Sequence, residues 1–193
     1  MAAGIIDAVS PVAELALRVL RRADLRLGRG LSDDQIADIQ ATYGFTFNRD
    51  HADVLRHATP KVWTDWTGDE QSLRDSLGWP VEGVLSDVAN AFWTPAWGER
   101  PRTKAAAVDV ARRHLAAMPQ LVPVYGNRYI PAAPEPSGAP VFSAYQTDVI
   151  HYGTDLADYC AHEFLGVSTG RTHHRRIEFW SDLVEGVGGV EFW

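Results

Sequence analysis

Cysteine is almost missing from this sequence. Among 193 residues only Cys160 carries a thiol, which excludes an intrachain disulfide and a cysteine-based zinc cluster. A reducing compartment is the expected home. Long apolar runs are missing too, because Arg18, Arg21 and Arg22 interrupt the first hydrophobic stretch, so no membrane span is expected. The first residues lack the basic start and continuous apolar run of a signal peptide, and the expected location is cytoplasmic. Positive charge is also in deficit: the formal net charge is -7. That balance opposes binding to nucleic acid or an anionic membrane and attracts a basic protein instead.

Catalytic signatures are equally scarce. There is no Gly-x-Ser-x-Gly elbow and no Gly-Lys-Ser/Thr phosphate loop, and Gly28 and Gly30 follow no strand-like run. His162-Glu163 begins like a zinc-protease helix, but Gly166 stands where the second histidine is required. Asp155, Asp158 and His162 fall on one face of a predicted helix, where three polar residues are ordinarily just solvated. Cys160 falls on the opposite, apolar face and is expected to pack. No catalytic residue, metal or cofactor is therefore expected.

What is present reads as a folding chain, 46% hydrophobic and 10% aromatic. Ser10-Pro11 opens a helix that ends near Gly28. Ser32 and Gln35 form a capping box for a second helix that Gly44 stops. A third helix is expected from Asp50 to Ala58. Thr67 and Glu70 form another capping box, for a helix that Gly78 and Pro80 should end, with a separate short helix over 79–89. The aromatic segment from Asn90 to Pro101 reads as an ordered loop, and Thr103 caps a helix through Met118.

From Leu121 the pattern changes to β-branched and aromatic residues. LVPVYGNRYIP reads as short strands broken at Gly126 and Asn127, VFSAYQTDVIHYG as a hairpin, and Thr154 as the start of another helix. Helices early and strands late predict an α+β fold: a single mixed or largely antiparallel sheet from the C-terminal half, braced by helices mainly from the N-terminal half. One domain is expected over the whole chain. Its parts are an extra helix at about 10–27, a core at about 31–164, and a tail from 166 that holds the basic patch Arg171 to Arg176.

Two groups of side chains stand out as candidate binding residues. The first is aromatic: Trp63, Trp66, Trp79, Phe92, Trp93 and Trp97 lie beside turn residues, where tryptophan anchors an interface about as often as it edges a core. The second is polar. Asp148 and His151 share the last hairpin, but residues three apart on a strand face opposite sides, so His151 is expected beside Val149 and Asp148 in the turn. Arg128 offers a fork for a carboxylate or phosphate, or an ion pair with Asp148.

In order along the chain, LSDDQIADIQATYGFTF with DHADVLRHA, NAFW with a later WG, LVPVYGNRYIP, and PVFSAYQTDVIHYGTDLADYCAHEF resemble the SUKH superfamily. That group includes the Smi/Knr cell-wall regulators and bacterial toxin-immunity proteins. The likeness spans about Leu31 to Phe164, and RYIP and YQTDVIHYGTDLADY are its more specific parts. It implies an α+β fold, no catalytic residues, and a protein-binding role. In members encoded beside toxins, that role is to occupy a toxin's surface, which an acidic domain does well when the toxin is basic. The competing expectation is a small-molecule binding protein or hydrolase with a pocket bounded by Trp93, Trp97, Arg128, Tyr129 and His151. A third is a structural subunit of a larger assembly.

Overall fold

A computed structural model describes residues 8–186. Among them the chain forms α1 (Pro11–Arg22), β1 (Leu27–Arg29), α2 (Asp33–Tyr43), α3 (Arg49–His57), β2 (Ala58–Pro60) and α4 (Glu70–Ala89). A single 3-10 turn (Pro95–Trp97) precedes α5 (Lys104–Leu115). The strands β3 (Leu121–Tyr125), β4 (Arg128–Pro131), β5 (Val141–Tyr145) and β6 (Asp148–Gly153) follow, then α6 (Leu156–Leu165) and α7 (Trp180–Glu185).

The α+β class holds, but the expected single sheet is two. β3-β4-β5-β6 is an antiparallel meander, and β1-β2 is a separate antiparallel ribbon. The ribbon carries Gly28 and Pro60 within three-residue strands, residues that local propensity assigns to turns. Gly28 and Gly30 thus lie in a strand and directly after it, where the sequence pattern showed none.

The meander is a middle layer. Val122, Val124, Ile130 and Val141 point into one core with α1, α2, α3 and α6. Leu121, Tyr129, Phe142, Ala144 and Val149 point into a second core with α4, α5, Trp97 and the residues around α7. Burial on both faces suits the apolar runs of β3 and β4, whereas the edge strand β6 alternates, with Val149 buried and Asp148 and Ile150 exposed. Burial on both faces also means that the helices bracing the sheet come from both halves of the chain.

Helix α4 overturns the expected break at Pro80. A proline lacks the N–H that would bond the carbonyl four residues back, here that of Ser76. The Tyr129 hydroxyl on β4 donates to that carbonyl at 3.2 Å, so a tertiary contact replaces the missing helical bond. The helix also begins on a different cap: Asp69, rather than Thr67, accepts from the Ser72 amide at 2.8 Å. Its second half docks on the β5–β6 turn. Gly83 permits that approach, since a Cβ there would stand 3.0 Å from the Gln146 Cα, and Asp87 Oδ2 accepts from the Thr147 amide at 3.0 Å and its hydroxyl at 2.6 Å.

The first core encloses an imidazole. His51 is fully buried, edge-on to Phe47 at 5.1 Å and Trp63 at 5.7 Å between ring centroids, and neither ring nitrogen has a hydrogen-bond partner. Burial pushes its pKa from 6.5 down to about 3. The folded chain therefore keeps the ring neutral where the unfolded chain protonates it. Its contribution is complete above pH 6.5 and is lost as pH falls toward 3. Between pH 7 and pH 4 this group alone should remove roughly 3 kcal/mol of unfolding free energy. Urea melts across that range should show His51→Leu losing less stability on acidification than the parent; parallel pH profiles would refute the assignment.

Candidate functional site

The six residues singled out from the sequence do not converge. Trp93 and Trp97 are buried in the second core, 5% and 9% exposed. The Trp93 indole donates to the Gly98 carbonyl at 2.8 Å, and Trp97 is stacked between His114 and Phe179, at 5.8 Å and 5.7 Å. Tyr129 is buried with them, and burial raises its phenol to about 12. All three pack the interior; a pocket rim is formed by none of them except the hydroxyl side of Tyr129.

Arg128 lies elsewhere. Its guanidinium sits 3.7 Å over the Tyr152 ring, pairs with Glu163 at 3.2 Å and donates to Ser143 Oγ at 3.0 Å and to Asn127 Oδ1. The expected partner Asp148 takes no part, because Glu163 on α6 packs closer than the hairpin tip. Asp148 is exposed at that tip, and the turn's amide is capped by Asp87 rather than by Asp148. The pairing of Phe142 with His151 and of Ala144 with Val149 puts His151 on the Val149 side of β6, as strand geometry requires.

His151 lines a cavity of about 250 Å³ with His174, His162, Asp158 and Arg171. Its ring stacks on His174 at 4.0 Å, and burial lowers its pKa to about 4. Three of the polar neighbours already have internal tasks. Asp158 accepts from Thr154 and Thr169, Arg171 pairs with Asp155 at 2.5 Å, and His162 stacks on Tyr152 at 4.7 Å. No cluster that could hold a metal ion occurs among the described residues. Ser181 Oγ is 3.4 Å from His151 Nε2, the residue pair of an acyl-transfer nucleophile. Ser181 is fully buried, however, and its oxygen accepts from the Ile177 amide at 2.9 Å, so the hydroxyl ties the first turn of α7 to the segment before it. Cys160 is buried as expected, and burial pushes its thiol up, away from thiolate reactivity.

The surface feature the sequence pointed to least directly is at Trp79. It is 48% exposed and Tyr145 is 56% exposed, with ring centroids 6.2 Å apart. Together with Tyr129, Asn127 and Gly126 they border a groove of about 370 Å³. Trp79 comes from α4 and Tyr145 from the end of β5; the Asp87–Thr147 bond ties α4 to the turn that follows β5, and the Tyr129–Ser76 bond ties it to β4. Carboxylates flank the groove: Asp75 lines it, and Asp148 pairs with Tyr145 across the hairpin. Trp79 was among the aromatic residues noted from the sequence, but only its place on the outer side of an unbroken α4 separates it from the buried tryptophans. No helix of the described residues is long and apolar enough to cross a membrane. The chain matches no protein-family model, no curated protein and no solved structure.

Proposed function

We propose that this chain is a non-enzymatic protein-binding domain, of the kind the SUKH resemblance implies, and that it engages a basic protein through the Trp79–Tyr145 groove. The observation that carries the reading is a preorganised aromatic pair at the surface, bordered by carboxylates. A large aromatic side chain, half exposed and held by the fold, supplies contact area at little entropic cost, which is why Trp and Tyr dominate interface hot spots. A partner Lys or Arg laid over Trp79 gains a cation–π contact, and Asp75 and Asp148 complement its charge. The net charge of -7 steers the same partner at longer range. A basic toxin is the partner this proposal names, in keeping with the immunity members of the resembled family.

The test is affinity capture with the parent chain and with Trp79→Ala/Tyr145→Ala. The parent should retain a stoichiometric basic protein, and the double variant should lose at least about 2 kcal/mol of affinity, roughly thirtyfold in Kd, if the pair is a hot spot. Absence of any stoichiometric partner, or equal retention by both forms at equal thermal stability, would sink the proposal.

A further inference from the structure

The basic stretch between α6 and α7 takes no part in the Trp79–Tyr145 groove. Residues 166–176 form no helix or strand, and His174 is the only one of them that is not exposed. Their charge is largely spent inside the molecule: Arg171 pairs with Asp155 at 2.5 Å, and Arg176 pairs with Asp182 and, at 2.6 Å, with Glu185. The stretch is therefore a strap. Its two ends are fixed, one by α6 and the other by Ile177, Phe179 and Trp180, which are buried in the second core.

Between those ends three side chains fasten it. Arg171 reaches Asp155 and the Thr169 hydroxyl donates to Asp158, both at the start of α6. The third contact is made by two rings: His174 lies over His151 of β6, with centroids 4.0 Å apart and planes inclined by 22°, and the pair walls the cavity of about 250 Å³. Neutral imidazoles stack as other aromatic rings do, and one imidazolium on a neutral ring is tolerated, but two cations at that distance repel. The surroundings do not offset a second charge. His151 faces the Phe142 ring on β5 at 5.0 Å, the Ser181 hydroxyl at 3.4 Å and Glu185 on α7. Asp158 and His162 on α6 and Arg171 on the strap line the same cavity, and His173 adjoins His174. Of the two carboxylates, Glu185 is taken by Arg176, and Asp158 by donors from Thr154 and Thr169. His174 Nδ1 is buried with no partner among the described residues.

We propose that the stacked imidazoles are an acid-sensitive latch: while neutral they hold residues 166–176 over β6, and protonation of both lets the strap go while Trp180 keeps α7 docked. The direction follows from burial. Burial, and after it the neighbouring His174, lowers the His151 pKa to about 4, and burial lowers that of His174 as well. A released ring protonates near its ordinary value of about 6.5, so the latch is complete above that pH and fails as pH falls toward 4. From about pH 7.5 to about pH 5, His151 alone shifts the balance toward the released form by about thirtyfold. The other two clips persist over that range. Arg171 stays charged, and although burial opposes ionisation of Asp158, donors from Thr154 and Thr169 hold its carboxyl below the usual range. The latch is independent of the Trp79–Tyr145 groove.

Two measurements on the whole chain test the latch: imidazole ¹H–¹³C spectra between about pH 7.5 and pH 5, and trypsin cleavage after Arg171, Arg175 and Arg176 over the same range. Each cleavage rate is divided by that of a free peptide of residues 164–180 at the same pH, which removes the pH dependence of the protease. Cleavage of a transiently opened segment tracks its open population. His151 and His174 should both titrate below about pH 6, and the relative cleavage rate should rise at least about tenfold on acidification while the helical circular dichroism stays constant. His174→Phe keeps a ring on His151 without the second charge, so its relative rate should stay within about twofold across the range. A pKa of either ring at or above its ordinary value, a flat relative rate in the parent, an equal rise in His174→Phe, or loss of helical signal along with the strap would each overturn the latch.

Discussion

Asp50→Ala should cost about 4 kcal/mol of unfolding free energy, which for a domain of this size lowers the melting temperature by roughly 8–16 °C. Asp50 is completely buried at the start of α3, yet no cation among the described residues pairs with it. Its carboxylate instead collects donors from two distant parts of the chain: the Ser10 hydroxyl at 2.5 Å, the Ser137 hydroxyl at 2.6 Å and the Gly138 amide at 2.7 Å. The Ser10 oxygen in turn caps α1 by accepting from the Ala13 amide at 3.0 Å, and the Ser10 amide donates to Asp53 at 2.9 Å. One carboxylate thus joins the N-terminal helix, α3 and the loop between β4 and β5.

Removing it strands three donors, each worth about 1–3 kcal/mol when buried without a partner, and loosens a helix cap worth about 1 kcal/mol. Asn48 beside it retains its own bonds, to the Asp50 amide at 3.0 Å and the Glu135 carbonyl at 3.0 Å, which keeps the loss below the simple sum. Asp50→Asn keeps one acceptor oxygen and presents an NH2 to the other donors, so it should fall between parent and alanine. Urea denaturation checks the magnitude, and hydrogen exchange at the first turn of α1 checks the cause. A loss under 1 kcal/mol, or unchanged protection of that turn, would show that the network does not hold α1 to α3.

Asp50 also shows where sequence reading stops. An acid in the first turn of a helix is the ordinary complement of the helix dipole, and nothing local distinguishes one that gathers donors from residues 10 and 137. What depends on neighbours three or four positions away was legible: the Ser32–Gln35 box, the Gly44 stop, the proline and serine opening α1, and the breaks at Gly126-Asn127 and Gln146-Thr147, although Asp148, expected in the second turn, belongs to β6. Pro80 was misread because its missing bond is replaced by a hydroxyl from β4, 49 residues on in the sequence. The ribbon escaped because three-residue strands containing Gly28 and Pro60 have no pattern of their own and exist only by pairing.

The candidate site divides along the same line. Aromatic density near turns was visible, but which tryptophan faces outward is decided by packing. Trp93 and Trp97 are covered by Phe179 and α5, whereas Trp79 is half exposed on the outer side of α4. Arg128 was read as a fork for a ligand or as the ion-pair partner of Asp148, whereas its ion pair is with Glu163. The partner is Glu163 because the α6 connection returns the chain over β4, and a hairpin read by itself offers only Asp148.

Trp180→Ala should be as damaging as the loss of Asp50, at about 4 kcal/mol, although the segment it anchors read as a basic tail outside the core. The backbone turns sharply before α7: Phe179 has φ 65, a left-handed conformation that costs a bulky residue of order 1–3 kcal/mol and persists only where packing over-determines it. That turn sends Phe179 onto Trp97 and Trp180 inward, 1% exposed, with its indole donating to the Pro119 carbonyl at 2.7 Å. Truncation removes the largest fully buried side chain among the described residues, leaves that carbonyl unpaired and withdraws the packing that sustains the Phe179 strain. Trp180→Phe keeps most of the volume but not the N–H, so it should cost about half as much. The decisive comparison is with Trp79→Ala, which removes the same side chain from the surface and should move the urea midpoint little. If Trp180→Ala were equally mild, residues 167–186 would be an appendage; a loss near 4 kcal/mol makes them the lid of the second core, without which Phe142, Val149 and Trp97 face water.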